Sequence, residues 1–200
     1  ASDVYKRQPQ NGNALWRNEE GLLTENYAEA RRINAGSPEP LWTGGFNTEL
    51  SWKGISLGIQ LEARYGNKVL NQDRSLFEAD GAYGDSNIWK GALNYWKKPG
   101  DTNVLPKPVY NNSSNSSNIS TRYLEDGSYL RIKDITLAYN LPSKWTKKAL
   151  MSGVRIYASA LNLYTFHNMN YWDPEHGTTG ATIISYPMTR SMIVGVDITF

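Results

Sequence analysis

The sequence predicts an all-β chain of antiparallel transmembrane β-barrel strands joined by long extracellular loops. Three observations predict it. Strand-period alternation is sustained long enough to cross a bilayer, the connections alternate between short and long, and many large rings accompany a low mean hydropathy. In "ISLGIQLEARY", Ile55, Leu57, Ile59, Leu61, Ala63 and Tyr65 alternate with Ser56, Gly58, Gln60, Glu62 and Arg64. Alternation of this kind marks a strand with one apolar and one polar face. A tilted strand needs about 9–11 residues to cross a membrane, whereas globular strands run about 5–6. The chain carries 7 Trp and 13 Tyr at a mean hydropathy of −0.56. A barrel suits this composition, because only every second strand residue meets lipid and rings gather at the two interfaces. A carbohydrate-binding sandwich suits it equally.

The first strand covers 43–52, where Phe46, Thr48, Leu50 and Trp52 alternate with Asn47, Glu49 and Ser51. Lys53-Gly54 then reads as a tight hairpin turn into the second strand, 55–66. In the third, 128–141, apolar residues begin at even positions (Leu130, Ile132) and continue at odd ones (Ile135, Leu137, Tyr139, Leu141). The slip at Lys133-Asp134 predicts a β-bulge. Pro142 ends this strand, and "SKWTKKAL" predicts a short helical turn capped by Ser143. The fourth strand, 153–166, places Val154, Ile156, Ala158 and Ala160 on one face. The fifth, 189–200, does the same with Met192, Val194, Val196, Ile198 and Phe200, with Ile193 the exception.

Two connections are short, at 53–54 and 142–152, and two are long, Asn67 to Gly127 and 167–188. The long ones fall on one side, as in outer-membrane barrels. Within the first long connection "DSNIWKGALNYWKKPGD" predicts an amphipathic helix from Asp85 or Ser86 to Pro99-Gly100. "YNNSSNSSNIS" predicts a polar, mobile stretch. Five such strands cannot close alone, and open edges would be unsatisfied in lipid. The chain therefore reads as a piece of something larger. Residues 1–42 read as an extracellular loop or incomplete N-terminal segment, and 43–200 as the barrel part.

A net charge of +2 without a basic stripe argues against nucleic acid. No apolar run reaches the roughly 18 residues of a membrane helix, and "ASDVYKRQPQ" lacks the apolar core of a signal peptide. With no Cys there is no thiolate metal site. No catalytic set can be argued, so the chain reads as no enzyme, with no metal and no cofactor. Asp173, Glu175 and His176 in "DPEH" read as a solvated turn rather than a cation site. The loop aromatics Trp89, Tyr95, Trp96, Tyr110, Tyr171 and Trp172 are candidate ligand contacts, since exposed rings stack on sugars or grip peptides. The bland reading packs Trp89 and Trp96 into the loop and places Tyr171 and Trp172 in an aromatic girdle.

"DGSYLRIKDITLAYNLPSKWTKKALMSGVRIYASALNLYTF", the following "YWDPE" and the ending "YPMTRSMIVGVDITF" together resemble the C-terminal part of the SusC/RagA family of TonB-dependent outer-membrane transporters from Bacteroidota. "EPLWTGGFNTELSWKGISLGIQLEARYGNKVLN" is similar to an upstream strand pair of the same family. The resemblance covers about residues 11–200; "ASDVYKRQ" fits neither the family nor a strand. It implies a barrel of about 22 strands with an N-terminal plug, a TonB-contacting segment and a SusD-like lipoprotein lid. It further implies import of oligosaccharides or peptides across the outer membrane. Val194, Val196, Ile198 and Phe200 resemble the terminal signal that the barrel-assembly machinery reads. The alternative is a soluble β-sandwich carbohydrate-binding module, which would bury its apolar sheet face in protein. A barrel shows that face to the lipid bilayer.

Overall fold

The computed structural model describes residues 2, 4–5, 11–102, 104–175, 180–182, 186 and 188–200. Along the chain run strands β1 (Val4–Tyr5), β2 (Leu15–Arg17), β3 (Leu23–Thr24), β4 (Trp42–Trp52) and β5 (Ile55–Tyr65). They are followed by β6 (Lys68–Leu70), α1 (Gln72–Phe77), β7 (Leu124–Asp126), β8 (Tyr129–Asn140), α2 (Ser143–Thr146), β9 (Gly153–His167) and β10 (Ser191–Thr199). Two compact units emerge: a sheet unit (39–67, 126–175, 186–200) and a loop unit (1–38, 68–125, 176–185).

The sheet unit is one antiparallel sheet of five strands in the order β10-β9-β8-β5-β4. Each strand lies within two residues of its sequence-predicted bounds. Lys53 (φ 48°) and Gly54 (φ 89°) turn β4 into β5; both take positive φ, as the hairpin turn matching strand twist requires. The register skips Lys133 between Ile132 and Asp134, so the predicted bulge is present. It keeps Leu130 and Ile132 on the same face as Ile135, Leu137 and Tyr139.

Register then aligns apolar residues into rows across every strand. Leu50, Leu57, Leu137, Ala158 and Val194 form one, and Trp52, Ile55, Tyr139, Ile156 and Val196 the next. These rows are not covered: Val194 is 79% and Trp52 68% exposed. A sandwich would bury them against a second sheet, so the sandwich alternative is set aside. Rings stand at both ends of the face, with exposed Trp42, Tyr65, Tyr164 and Phe166 at one and exposed Trp52 at the other, as in a membrane barrel's girdles.

Between β8 and β9 the helical turn is present, but Ser143 does not cap it. Pro142 occupies the cap position, and its carbonyl accepts from Trp145 N at 2.8 Å. A backbone preset by proline does what the hydroxyl was expected to do.

The loop unit replaces what the sequence suggested was a long connection. β1, β2 and β3 form a small antiparallel sheet, and β6 pairs with β7. Trp16, Val69 and Tyr123 are fully buried, and Trp16 meets Tyr27 edge-on at 4.9 Å. The predicted helix over 85–99 is absent; only Lys90–Leu93 forms a 3-10 turn. Its backbone is committed elsewhere: Trp89 N donates to Phe77 O, Trp96 N to Leu105 O, and Leu105 N to Asn94 O. Asn87, Gly91 and Asn94 also weaken any helix.

The Asn/Ser run is folded too. Asn111, Asn112 and Asn115 adopt positive φ, a region asparagine tolerates better than most residues. Asn112 is 5% exposed; its amide donates to Ser117 Oγ at 2.6 Å, and its oxygen accepts from Ser116 N at 3.3 Å. Ser116 Oγ donates to Asp80 at 2.6 Å. Around them two arginines hold the interior. Arg74 donates to Glu78 (2.9 Å) and to Glu125 (2.6 Å), while Arg122 pairs with Asp80. Burial opposes the Arg122 charge, but the hydrogen bond to Asp80 and the nearby charges of Asp80 and Glu78 together outweigh it and raise the guanidinium's pKa. Burial likewise pushes the Tyr123 phenol well above its ordinary value.

Candidate functional site

The polar face of the sheet carries a charged cluster centred on β8. Register places Arg131 between Glu62 of β5 and Thr165 of β9, in the middle of the sheet. Its side chain is 0% exposed. Nε donates to Thr165 Oγ1 at 2.8 Å. One terminal nitrogen is shared by both oxygens of Asp173, and the other pairs with Glu175. The Tyr129 ring lies 5.3 Å from its guanidinium carbon. A buried cation is tolerable only when its donors are met by carboxylates and other acceptors, and here all three nitrogens are engaged.

The bulge residue Lys133 widens this cluster. Its Nζ lies 3.0 Å from Glu62 and 3.4 Å from Glu175. Tyr129 Oη donates to Glu62 at 2.7 Å, and Arg64 stands 3.9 Å from the same carboxylate. Further along the face Asp134 accepts from Thr136 at 2.8 Å and from Ser159 at 3.0 Å. The segment after β9 is thereby tied to the sheet through Asp173 and Glu175. Glu175 N donates back to Asp173 at 2.9 Å.

Beside this anchor lies a cavity of about 290 Å³ lined by Asn162, Thr165, His167, Tyr171, Trp172 and Arg190, with Asp173 at its wall. That volume sits at the small end of ligand sites, large enough for one sugar ring or one amino-acid residue. The wall combines two rings, an amide, a hydroxyl, an imidazole, a guanidinium, a thioether and the Asp173 carboxylate. Such a set binds and orients; among the described residues no cluster fit to hold a metal is present.

The six sequence-predicted ring residues do not converge. Tyr171, 56% exposed, and the half-buried Trp172 line this cavity. The other four belong to the loop unit. Trp89 stacks on Phe77 at 4.8 Å, and Tyr95 lies beneath Lys97 at 5.5 Å. Trp96 is buried at 9% and packs on Gly12, where an added Cβ would meet its ring at 2.5 Å. Tyr110 is 79% exposed. Val194, Val196, Ile198 and Phe200 are all exposed at the β10 end of the sheet. Of "DPEH", Asp173 and Glu175 are engaged by Arg131, and His176 lies outside the described residues.

Sequence reasoning missed Arg131 and Lys133. The available signal was a cation at the strand's phase slip and another two residues before it, followed downstream by two carboxylates two residues apart.

No protein-family model matches the chain. TonB-dependent receptor P3 of Formosa agariphila is 30% identical over 182 residues, covering 86% of this chain and 17% of the receptor. TonB-dependent receptor P26 of the same organism is 28% identical over 197 residues, covering 92% and 19% respectively. Among solved structures, the RagAB peptide transporter matches with a TM-score of 0.82 at 28% identity, over 100% of this chain and 22% of that one. The RagAB peptide importer in its closed-closed state matches with a TM-score of 0.82 at 29% identity, with the same coverage. The chain thus spans between 17% and 22% of the length of these proteins.

Proposed function

The chain is part of a SusC/RagA-type TonB-dependent receptor, and we propose that the whole protein imports oligosaccharides or peptides across the outer membrane. The observation that carries the proposal is the two-faced sheet. Uncovered apolar rows with rings at both ends suit a bilayer, and a polar face with a satisfied, buried charge cluster suits the wall of a transport lumen. That the similar RagAB proteins are called a peptide transporter and importer favours peptides.

In this reading a SusD-like lipoprotein is the surface partner and the TonB complex supplies the energy. Val194, Val196, Ile198 and Phe200 face lipid and present the row that the barrel-assembly machinery reads. Tyr171 and Trp172 contact substrate from the cavity, while Trp89, Tyr95, Trp96 and Tyr110 shape the loop unit that substrate passes. Growth of cells lacking the full-length gene tests the proposal. Loss of growth on a defined set of peptides or glycans is expected; unchanged growth on every one tested overturns it.

A further inference from the structure

We propose that the seat formed by Arg131 and Lys133 is a carboxylate-binding site, filled here by Glu175 and taken over by a carboxylate of the substrate during import. The inference rests on the transport reading above and names the substrate class: acidic peptides or sugars bearing uronic acids.

Charge count is the first argument. Arg64, Arg131 and Lys133 face Glu62, Asp173 and Glu175, one carboxylate for each cation. Removing Glu175 leaves Arg131 on Asp173 and Lys133 on Glu62 but puts one positive charge in excess around a fully buried guanidinium, which is unfavourable. The seat therefore favours a carboxylate at all times. A substrate carboxylate replaces Glu175 with the charge balance unchanged, whereas a neutral group does not.

The second argument identifies Glu175 as the exchangeable member. Glu62, although 29% exposed, sits on the β5 ladder and is held by the Tyr129 hydroxyl and by Lys133 at 3.0 Å. Asp173 commits both oxygens to Arg131, also accepts from the Glu175 amide, and is 13% exposed. Glu175 follows the strand on a loop and is 22% exposed. One of its oxygens meets Arg131, and the other reaches Lys133 at 3.4 Å, beyond a normal charge-assisted bond.

The third argument is access. Thr165 and Asp173 both line the cavity and both bond Arg131. A ligand body resting on Tyr171 and Trp172 stands next to the seat its carboxylate would enter. Arg190 lines the same cavity, and Lys133, 25% exposed, is the more accessible of the two seat cations.

Equilibrium binding to the purified full-length protein tests this with two probe pairs: pentaglutamate against pentaglutamine, and trigalacturonate against its methyl ester. Glu175→Gln empties the seat and is expected to tighten binding of an acidic probe by roughly tenfold, about 1.4 kcal/mol, leaving its neutral counterpart unchanged. Response of the peptide pair alone or the sugar pair alone identifies the source of the carboxylate. Adding Lys133→Gln to Glu175→Gln restores one-to-one charge balance and is expected to abolish the gain. This double variant also serves if Glu175→Gln alone does not insert. Equal acidic-probe affinity in wild type, single and double variants overturns the proposal, as does an equal gain for neutral probes. Binding is read without uptake, so failure of the transport reading shows in growth assays and failure of the seat shows here.

Discussion

Each of the two units owes its internal order to a different means. The sheet unit is a ladder of backbone hydrogen bonds whose apolar side chains face outward, uncovered. The loop unit turns its polar groups inward: Asn71, Asp73, Ser116 and Ser120 are buried at 0–1% exposure, and Arg74 and Arg122 pair with carboxylates inside it. In the sheet, order comes from repetition, so a substitution matters mainly through which face it lands on. In the loop unit, order comes from particular partners, so loss of one partner strands another.

The largest effect expected from this contrast is in the loop unit. Arg122→Ala leaves Asp80 buried without its cation and should cost about 3–5 kcal/mol. Limited proteolysis of the full-length protein should then cut within 68–125 while the barrel remains heat-modifiable on gels. Loss of both together would join what the contrast separates. Next comes Ile59→Arg, in mid-strand on the apolar face, expected to cost about 2–4 kcal/mol in the bilayer. A polar replacement of neighbouring Gln60 should cost little. Urea unfolding of the full-length barrel in vesicles compares the two.

A smaller effect is expected on the polar face at Gly195, where an added Cβ would stand 2.4 Å from the Tyr157 ring. Gly195→Ala should cost about 1–3 kcal/mol, as overpacking does, and Tyr157→Ala/Gly195→Ala should recover part of it in the same assay. Smallest is Arg155→Gln. Its pair with Asp197 is 3.6 Å long and about half exposed on both sides, so the loss should lie within about 0–1 kcal/mol and shrink with salt.

The sheet was legible because its signal is local. Period two at 55–65, the Lys53-Gly54 turn and the slip at Lys133 are each written within a few neighbouring residues, and the register follows from them. The loop unit was not legible, because its contacts join distant positions: Arg74 with Glu125, Arg122 with Asp80, Trp96 with Gly12. Residues 85–99 carried a helical pattern, yet distant carbonyls at Phe77 and Leu105 captured its amides. The same separation hid the charge cluster. Residue type alone marks Tyr171 and Trp172 as ligand contacts, but Arg131 and Glu175 meet only through the fold.

Faces of β5 test the central claim most directly. Spin labels at positions 59 and 60 of the full-length protein in lipid bilayers can be compared for collision with a lipid-soluble and a water-soluble quencher. The two-faced sheet predicts that position 59 responds to the lipid-soluble quencher and position 60 to the water-soluble one. Equal response of both positions to either quencher would contradict it.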